Sequence, residues 1–296
     1  MDSRKDDGAV SSTARGVLWV VAAPLGNPDD LSPRARATLA SANVVLAEDT
    51  RSARRLLTEA GIAGNPTILS CFDGNEHQRA EEAVRRVASG ESVALLSEAG
   101  TPLVSDPGFR VVSAVISAGL LVRPLPGPSA LLAALVGAGL PADRFTFLGF
   151  PARKQGARRR SFEELRDHPL TMVFYESPLR TAETLADLAD AFGPDRPACV
   201  ARELTKPYEE FVRGTLAALR DRYQSDRPLG EVTLVVGGAP PASETILDAT
   251  VEQEAARLLE SGLSARDVSD TLTARTGLPR RRVYALVTKI AAETRR

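Results

Sequence analysis

Two stretches of this chain combine residue types that can do chemistry with positions that can present them. The longer is SEAGTPLVSDPG, from Ser97 to Gly108, directly after the apolar run Val93 to Leu96. Ser97, Thr101 and Ser105 offer hydroxyls and Glu98 and Asp106 offer carboxylates, while two glycines and two prolines allow close backbone approach and fix φ. The shorter is Glu48, Asp49, Thr50, Arg51, after the run Val44 to Ala47. Three more loops of this kind recur, at Pro24 to Asn27, Pro126 to Ser129 and Glu176 to Pro178. Each follows an apolar, strand-like run, and the carboxyl end of a strand is where open α/β sheets bind ligands. A single Gly/Pro-rich loop reads most simply as a tight turn; a recurring set reads as a binding cleft. None of the loops is GxGxxG or GxxxxGK[ST], so a standard dinucleotide site and a triphosphate P-loop are disfavoured. Backbone amides, small hydroxyls and an apolar wall suit a compact cofactor such as an adenine nucleoside.

The elements that must position these loops follow from hydrophobic periodicity. Val17 to Ala23 predicts a first strand, and Ser32 with Pro33 an N-cap and first-turn proline for a helix through Ala42. Strands are expected at Val44 to Ala47, Thr67 to Ser70, Val93 to Leu96 and Val122 to Leu125. Helices are expected between them at Arg54 to Ala60, Glu76 to Ser89 and Phe109 to Ala118. Such alternation predicts a parallel sheet covered on both faces. Pro126 to Ser129 interrupts it, and a hinge is placed there. Beyond the small-residue helix Ala130 to Gly137, strands are expected at Phe145 to Phe150, Thr171 to Tyr175, Ala198 to Arg202, Phe211 to Gly214 and Val232 to Val236, with helices at Ser161 to Asp167, Thr181 to Ala191 and Leu216 to Tyr223. The closer spacing predicts a mixed sheet. After Gly237 to Pro241 come three helices, at Val251 to Glu260, Ser264 to Thr276 and Arg280 to Thr294, the last two joined at Gly277 to Pro279 in a helix-turn-helix-like unit. The expected organisation is therefore α/β: a disordered tail (1–15), an N-terminal α/β domain (16–125), a C-terminal α/β domain (126–240) and a helical extension (244–296).

Composition excludes several classes. The net charge of -1 rules out a uniformly basic, nucleic-acid-coating protein but leaves room for local patches. Cys71 and Cys199 stand far apart and outside any CxxC or Cys/His cluster, and His77 and His168 are isolated. No metal site is indicated, and reduced thiols are the default. Met1 to Arg15 are polar with no apolar leader-like core, and no run approaches the roughly 18 apolar residues of a membrane span. A cytoplasmic location is expected.

Several strings then fall in a telling order: AAPLGNPDDL, LAEDTR, SEAGTPLVSDPG, PLPGPSALLAAL, FLGFPARK, VFYESPLR, ARELTKPYEE and GEVTLVV. Together they resemble the bacterial ribosomal RNA small subunit methyltransferase I family, within the tetrapyrrole methylase superfold. The resemblance covers Val17 to Val236 and extends to the helical tail. It implies a two-domain transferase that binds S-adenosylmethionine in the cleft between its domains, works as a homodimer, and methylates a cytidine ribose 2'-hydroxyl in the decoding region of 16S rRNA, as free rRNA or in the 30S subunit. Carried over by motif, cofactor contacts fall to Leu25, Gly26, Gly100, Thr101, Pro102, Val104, Ser129, Ala130, Tyr175, Glu176, Val232 and Thr233. The chain departs from the family pattern at Ala23, usually threonine, at Glu98, usually aspartate, and at Leu179, usually histidine. Leu179 excludes a histidine base at that position.

A sulfonium supplies its own leaving-group activation, so the protein must align the nucleophile and exclude water. A ribose hydroxyl also needs help in losing its proton, and Glu48, Asp49, Glu98, Asp106, Glu176, Glu203 and Lys206 are the candidates. Asp49 and Glu98 are favoured as cleft carboxylates, with Arg51 and Lys206 as charge-stabilising groups. The plainer reading of Asp49 and Arg51 is a helix cap or a structural ion pair. For the RNA, Arg153, Lys154, Arg158, Arg159 and Arg160 form an acid-free segment that reads as a mobile phosphate-contacting loop. Arg280, Arg281 and Arg282, with Lys289, Arg295 and Arg296, make the tail basic at its end, and Tyr284 among them could stack on a base or pack inward. Two rival readings remain: a methyltransferase of the same fold acting on a tetrapyrrole or other small molecule, and a regulator whose tail binds DNA. The basic segments argue against the first, and the lack of polar base-reading residues on the last helix against the second.

Overall fold

The computed structural model describes residues 16–240, 244–276, 278 and 280–294. The expected tail at 1–15, Arg295 and Arg296 lie outside the described residues, as does the side chain of Arg282.

Five strands form the first sheet: β1 (Val17–Val21), β2 (Val44–Ala47), β3 (Thr67–Ser70), β4 (Ser92–Leu96) and β5 (Leu121–Leu125), in the order β3-β2-β4-β1-β5 and all parallel. Period-2 alternation divides each strand between two cores. Leu18, Val44, Leu46, Val93 and Leu95 face α3 (Glu76–Ala88) and α4 (Phe109–Ser117), while Val21, Val45, Ala47, Ala94 and Leu96 face α1 (Pro33–Ser41) and α2 (Thr50–Glu59). Each fully buried Leu or Val contributes about 1.5–3 kcal/mol, so both faces are held as core. Ser32 caps α1 as its sequence suggests, accepting from the Ala35 amide at 3.1 Å with Pro33 in the first turn.

The second sheet, β6 (Phe145–Phe147), β7 (Thr171–Glu176), β8 (Pro197–Arg202), β9 (Glu210–Thr215) and β10 (Val232–Val236), has the order β6-β7-β10-β8-β9. Only β6 and β7 are parallel, so the sheet is mixed. One face packs on α6 (Gln155–Glu164), α7 (Thr181–Phe192) and α8 (Leu216–Ser225). The other packs on α5 (Ala130–Ala138), and Leu25 from the loop after β1 and Leu204 join that core. Leu25 thus fastens the first sheet's loop to the second sheet.

Three helices start earlier than the sequence expectation, among them α9 (Glu244–Glu260), which begins seven residues before Val251. The second, α2, starts four residues earlier than Arg54, because Asp49 supplies an N-cap at its beginning. The basic segment after Phe150 is a loop only at Arg153 and Lys154: α6 begins at Gln155 and takes in Arg158, Arg159 and Arg160, which places Arg158 on its inner face.

The chain divides into two compact units, one running to Gly238 and the other starting at Ala239. The second unit comprises α9 (Glu244–Glu260), α10 (Ala265–Thr276) and α11 (Arg280–Thr294), closed around Val251, Ala255, Val268, Leu272, Val283 and Val287. Val283, Leu286, Val287 and Ile290 face inward on α11, leaving Arg281, Tyr284 and Thr288 exposed. No helix among the described residues is long and apolar enough to cross a membrane.

Candidate active site

The loops at the carboxyl ends of β1, β4 and β5 are bound to one another. Ala23 and Gly100 exchange backbone hydrogen bonds of 2.8 and 3.0 Å, Ser97 Oγ donates to the Gly100 carbonyl at 2.6 Å, and Thr101 Oγ1 donates to the Pro128 carbonyl at 2.9 Å. Gly100 has φ +73°, and a Cβ there would stand 3.2 Å from Leu25 Cδ2, so a side chain would crowd the seam. Further along the same loop, Leu103 and Ser105 are held at φ 72° and 67°, a region that residues other than glycine rarely adopt. The loop's far end is anchored by buried Glu76, whose Oε1 accepts from the Gly108 and Arg110 amides at 2.9 and 2.8 Å.

Against these loops lies a cavity of about 480 Å³. Its walls include Leu25, Gly100, Thr101, Val104, Ala130, Tyr175, Glu176, Val232 and Thr233, nine of the twelve residues named from motif for the cofactor. Gly26 lines a neighbouring cavity, Pro102 is buried off the wall, and Ser129 caps α5 through the Leu132 amide. Tyr175 is oriented by the Leu131 amide, which donates to its hydroxyl at 3.2 Å, and by edge contacts with Phe147 and Phe150. Glu176 is buried with its carboxylate engaged by Ser177 N (2.7 Å), Thr184 Oγ1 (2.6 Å) and Arg180 (2.5 Å), so it builds the loop and leaves no carboxylate free for a ligand.

Of the five carboxylates on the cavity wall, Glu176 and Glu231 are paired with Arg180 and Lys206, which leaves Glu48, Glu98 and Asp106. Burial, then the Glu48 and Glu98 charges, push Asp106 up to about 7. Burial and then Glu98 raise Glu48 as well. Among the described residues, none of the three has a cationic partner within salt-bridge distance, and no group of His, Cys, Asp or Glu is placed to hold a metal ion. A site that collects uncompensated negative charge suits an organic cation.

The favoured catalytic set does not assemble as expected. Asp49 stands outside this cavity: its Oδ1 accepts from the Arg51 and Ser52 amides at 2.6 and 3.2 Å, and those bonds hold its carboxyl below the usual range. It is the cap of α2, the plainer of the two readings. Arg51 is exposed in the first turn of α2 and lines neither cavity. Glu98 does reach the cavity, and it accepts from Ser52 Oγ at 3.1 Å. Lys206 faces the neighbouring cavity, with Nζ 2.9 Å from Glu203 and 3.2 Å from Glu231. Phe150 is a wall residue that motif reading passed over, and Asp106 is one it did not single out. Asp106 stood among the carboxylate candidates, but nothing local in its sequence marks it as the one two other acids would surround.

The neighbouring cavity, also about 480 Å³, shares Leu25, Glu98, Ala99 and Glu231 with the first. Leu179, exposed at 73%, lines neither.

The basic segment also divides. Arg158 is 1% exposed: its Nε donates to Asp187 Oδ2 at 2.7 Å, and its Nη2 lies 2.7 Å from the same oxygen but out of line for a hydrogen bond. Arg159 donates to Asp187 and Asp190. Arg158 is therefore withdrawn as an RNA contact, because its charge is neutralised inside the fold, while Arg153, Lys154 and Arg160 stay exposed without a carboxylate partner among the described residues. In the tail, Arg280 pairs with Asp270 at 2.7 Å and Arg281 is exposed.

Residues 17–220 match the family model described as tetrapyrrole (corrin/porphyrin) methylases. The ribosomal RNA small subunit methyltransferase I of Xylella fastidiosa is 45% identical over 271 residues, covering 91% of this chain and 98% of that protein. Its counterpart from Mycobacterium tuberculosis is 44% identical over 281 residues, covering 94% and 97%. Among solved structures, uroporphyrin-III C-methyltransferase from Thermus thermophilus complexed with S-adenyl homocysteine superposes with a TM-score of 0.52 at 22% identity, over 75% of this chain and 97% of that one, which shows a common fold.

Proposed function

This chain belongs to the tetrapyrrole methylase family and, within it, to the ribosomal RNA small subunit methyltransferases I, and from that membership we propose that it transfers the methyl group of S-adenosylmethionine to a cytidine ribose 2'-hydroxyl in the decoding region of 16S rRNA. The free rRNA or the 30S subunit is the substrate, a homodimer the working form and the cytoplasm the location.

The observation that carries this reading is the cavity on whose wall Glu48, Glu98 and Asp106 gather with no base paired to them among the described residues. Its donor set fits the cofactor: carboxylates for a sulfonium and an ammonium, the Thr101 and Thr233 hydroxyls, and an apolar wall with an aromatic ring for an adenosine. The crowded seam at Gly100 supports the same fit, since any side chain there would close in on Leu25. When bound, S-adenosylmethionine supplies an electrophilic methyl group on a positively charged sulfur.

What the chain's own residues do follows from position. Glu48 and Asp106 hold the cation electrostatically, and a cation arriving beside Asp106 favours its ionised form. Glu98 stands where the two cavities meet, held by Ser52, and is the carboxylate placed to accept the proton of an incoming hydroxyl. Asp49 acts through α2: by capping the helix it sets the position of Ser52. Tyr175 walls the cofactor space and helps to exclude water. Arg153, Lys154, Arg160 and Arg281 supply exposed positive charge for the RNA backbone.

The test is to incubate the protein with radiolabelled S-adenosylmethionine and, separately, 30S subunits, naked 16S rRNA and a porphyrinogen, and then to map any ribose methylation. Label in a 16S rRNA cytidine ribose is the expected result. Label in the porphyrinogen alone, or on a base instead of a ribose, overturns the proposal.

A further inference from the structure

The second cavity lies between α2 and the loop 203–207. We propose that it receives the acceptor nucleoside of the RNA strand, extruded from its stack, with a base that carries an exocyclic amine. This rests on the methyl-transfer reading above and says where and how the acceptor is held.

Position comes first. A methyl donor and its acceptor must be in contact, so the acceptor belongs in a space that shares a wall with the donor cavity, and this cavity does so through Leu25, Glu98, Ala99 and Glu231. The α2 wall presents Ser52, Arg55, Leu56 and Glu59, at spacings that keep them on one helix face. Seven residues of helix rise about 10 Å, enough to lay a ribose and a base end to end. Ser52, bonded to Glu98, marks the end nearest the donor, so the ribose lies there and the base points toward Glu59.

The opposite wall is a rigid strap. Glu203 and Thr205 hold φ of 50° and 64°, Thr205 Oγ1 accepts from the Asn27 amide at 3.2 Å, and the Lys206 stem crosses Gly26 so closely that a Cβ there would overlap it. Lys206 is neutralised by Glu203 and Glu231, which removes it as a free cation.

Charge then selects the ligand. Arg55 is exposed and, among the described residues, has no carboxylate within salt-bridge distance, Asp49 attracting it only from further off, so it is the cation available to a flanking phosphate. Glu59 has neither an ion-pair nor a hydrogen-bond partner among them and is a pure acceptor when ionised. A carboxylate at the base end favours an amino group, as on cytosine N4, over the carbonyl that uracil presents in its place. Taking a nucleotide out of its stack is the usual way an enzyme reaches an atom on structured nucleic acid.

Arg55→Ala and Glu59→Gln are compared with the wild-type chain, measuring S-adenosylmethionine affinity by calorimetry, methyl transfer to whichever rRNA form the wild type modifies, and the thermal midpoint. Arg55→Ala is expected to raise the KM for RNA at least about tenfold, the scale of one charge-assisted hydrogen bond, with donor affinity and midpoint unchanged. Glu59→Gln is expected to narrow the preference for a target cytidine over a uridine at the same position. An unchanged RNA KM and base preference in both variants, or a parallel loss of donor affinity, overturns the assignment of this pocket. A wild-type protein that methylates no RNA strikes instead at the function on which the assignment rests, so the two failures are told apart.

Discussion

Two regions of this molecule gather carboxylates and treat them in opposite ways. Between α6 and α7, Asp187 is 1% exposed on its side chain yet receives hydrogen bonds from Arg158, Arg159 and Gln155, and a second buried acid, Glu176, is closed off by Arg180, Thr184 and Ser177. Burial opposes ionisation of Asp187, but the hydrogen bonds from Arg159, Arg158 and Gln155 outweigh it and hold the carboxyl low. In the cavity proposed for the cofactor, Glu48, Glu98 and Asp106 have no base beside them among the described residues, and Asp106 rises to about 7. The first arrangement is complete in itself and tolerates no further charge. The second is left unneutralised by the described residues, which is the electrostatic mark of a candidate binding site.

Removing a partner from the complete arrangement gives the largest effect. Asp187→Ala removes the carboxylate that the buried Arg158 guanidinium hydrogen-bonds and leaves it only the exposed Glu183 at 3.6 Å, and is expected to lower stability by about 3–5 kcal/mol in urea unfolding. A change under about 1 kcal/mol would show that Arg158 finds water and that the pair is no more structural than a surface one. In the incomplete arrangement the same kind of change acts on binding. Asp106→Asn removes a carboxylate from the cationic donor and is expected to weaken S-adenosylmethionine about tenfold, or about 1.4 kcal/mol, while leaving the neutral-sulfur product S-adenosylhomocysteine less affected. Equal losses for both ligands would remove the sulfonium from the account.

The pH dependence is smaller and has a definite sign. Asp106 has its folded pKa raised from 3.8 to about 7, so the folded state binds this proton more tightly than the unfolded state does. Stability contributed through Asp106 therefore falls as pH rises across that window, and Asp106→Asn should flatten the fall. Donor affinity moves the other way. It should improve by roughly fivefold to tenfold between pH 6 and pH 8, as Asp106 ionises toward the cation, and level off above that. Calorimetric titrations of wild type and Asp106→Asn at both pH values check it, and a slope that persists in the variant would pass the role to Glu48. The smallest effect belongs to Arg159→Ala. This arginine is half exposed and shares Asp187 with Arg158, so the stability loss should stay within about 1 kcal/mol; a loss as large as that of Asp187→Ala would make Arg159 the principal partner.

Much of the framework was legible from residue order. Short apolar, β-branched runs located every strand, Ser32 with Pro33 announced α1, and the Gly/Pro loops announced the carboxyl ends of β1, β4 and β5. Nine of the twelve residues named for the cofactor line one cavity because they lie on those loops and strand ends, where backbone path alone decides what faces inward. Charged residues were harder to assign. Arg158 looked like part of a loose basic loop because its neutralising partner is 29 positions away on another helix, and Asp49 looked like a cleft acid although the amides that claim it are its own near neighbours.

By itself, then, the sequence determined the two-sheet α/β framework, the family and the loops that form the cleft, because hydrophobic periodicity and backbone restrictions at Gly and Pro act over a few residues. Only the tertiary structure decided which charges are neutralised and which are left to a ligand. Electrostatic energy depends on distance and burial in space, and Glu48, Glu98 and Asp106 become one acidic site only when the ends of β2 and β4 are brought side by side in the sheet.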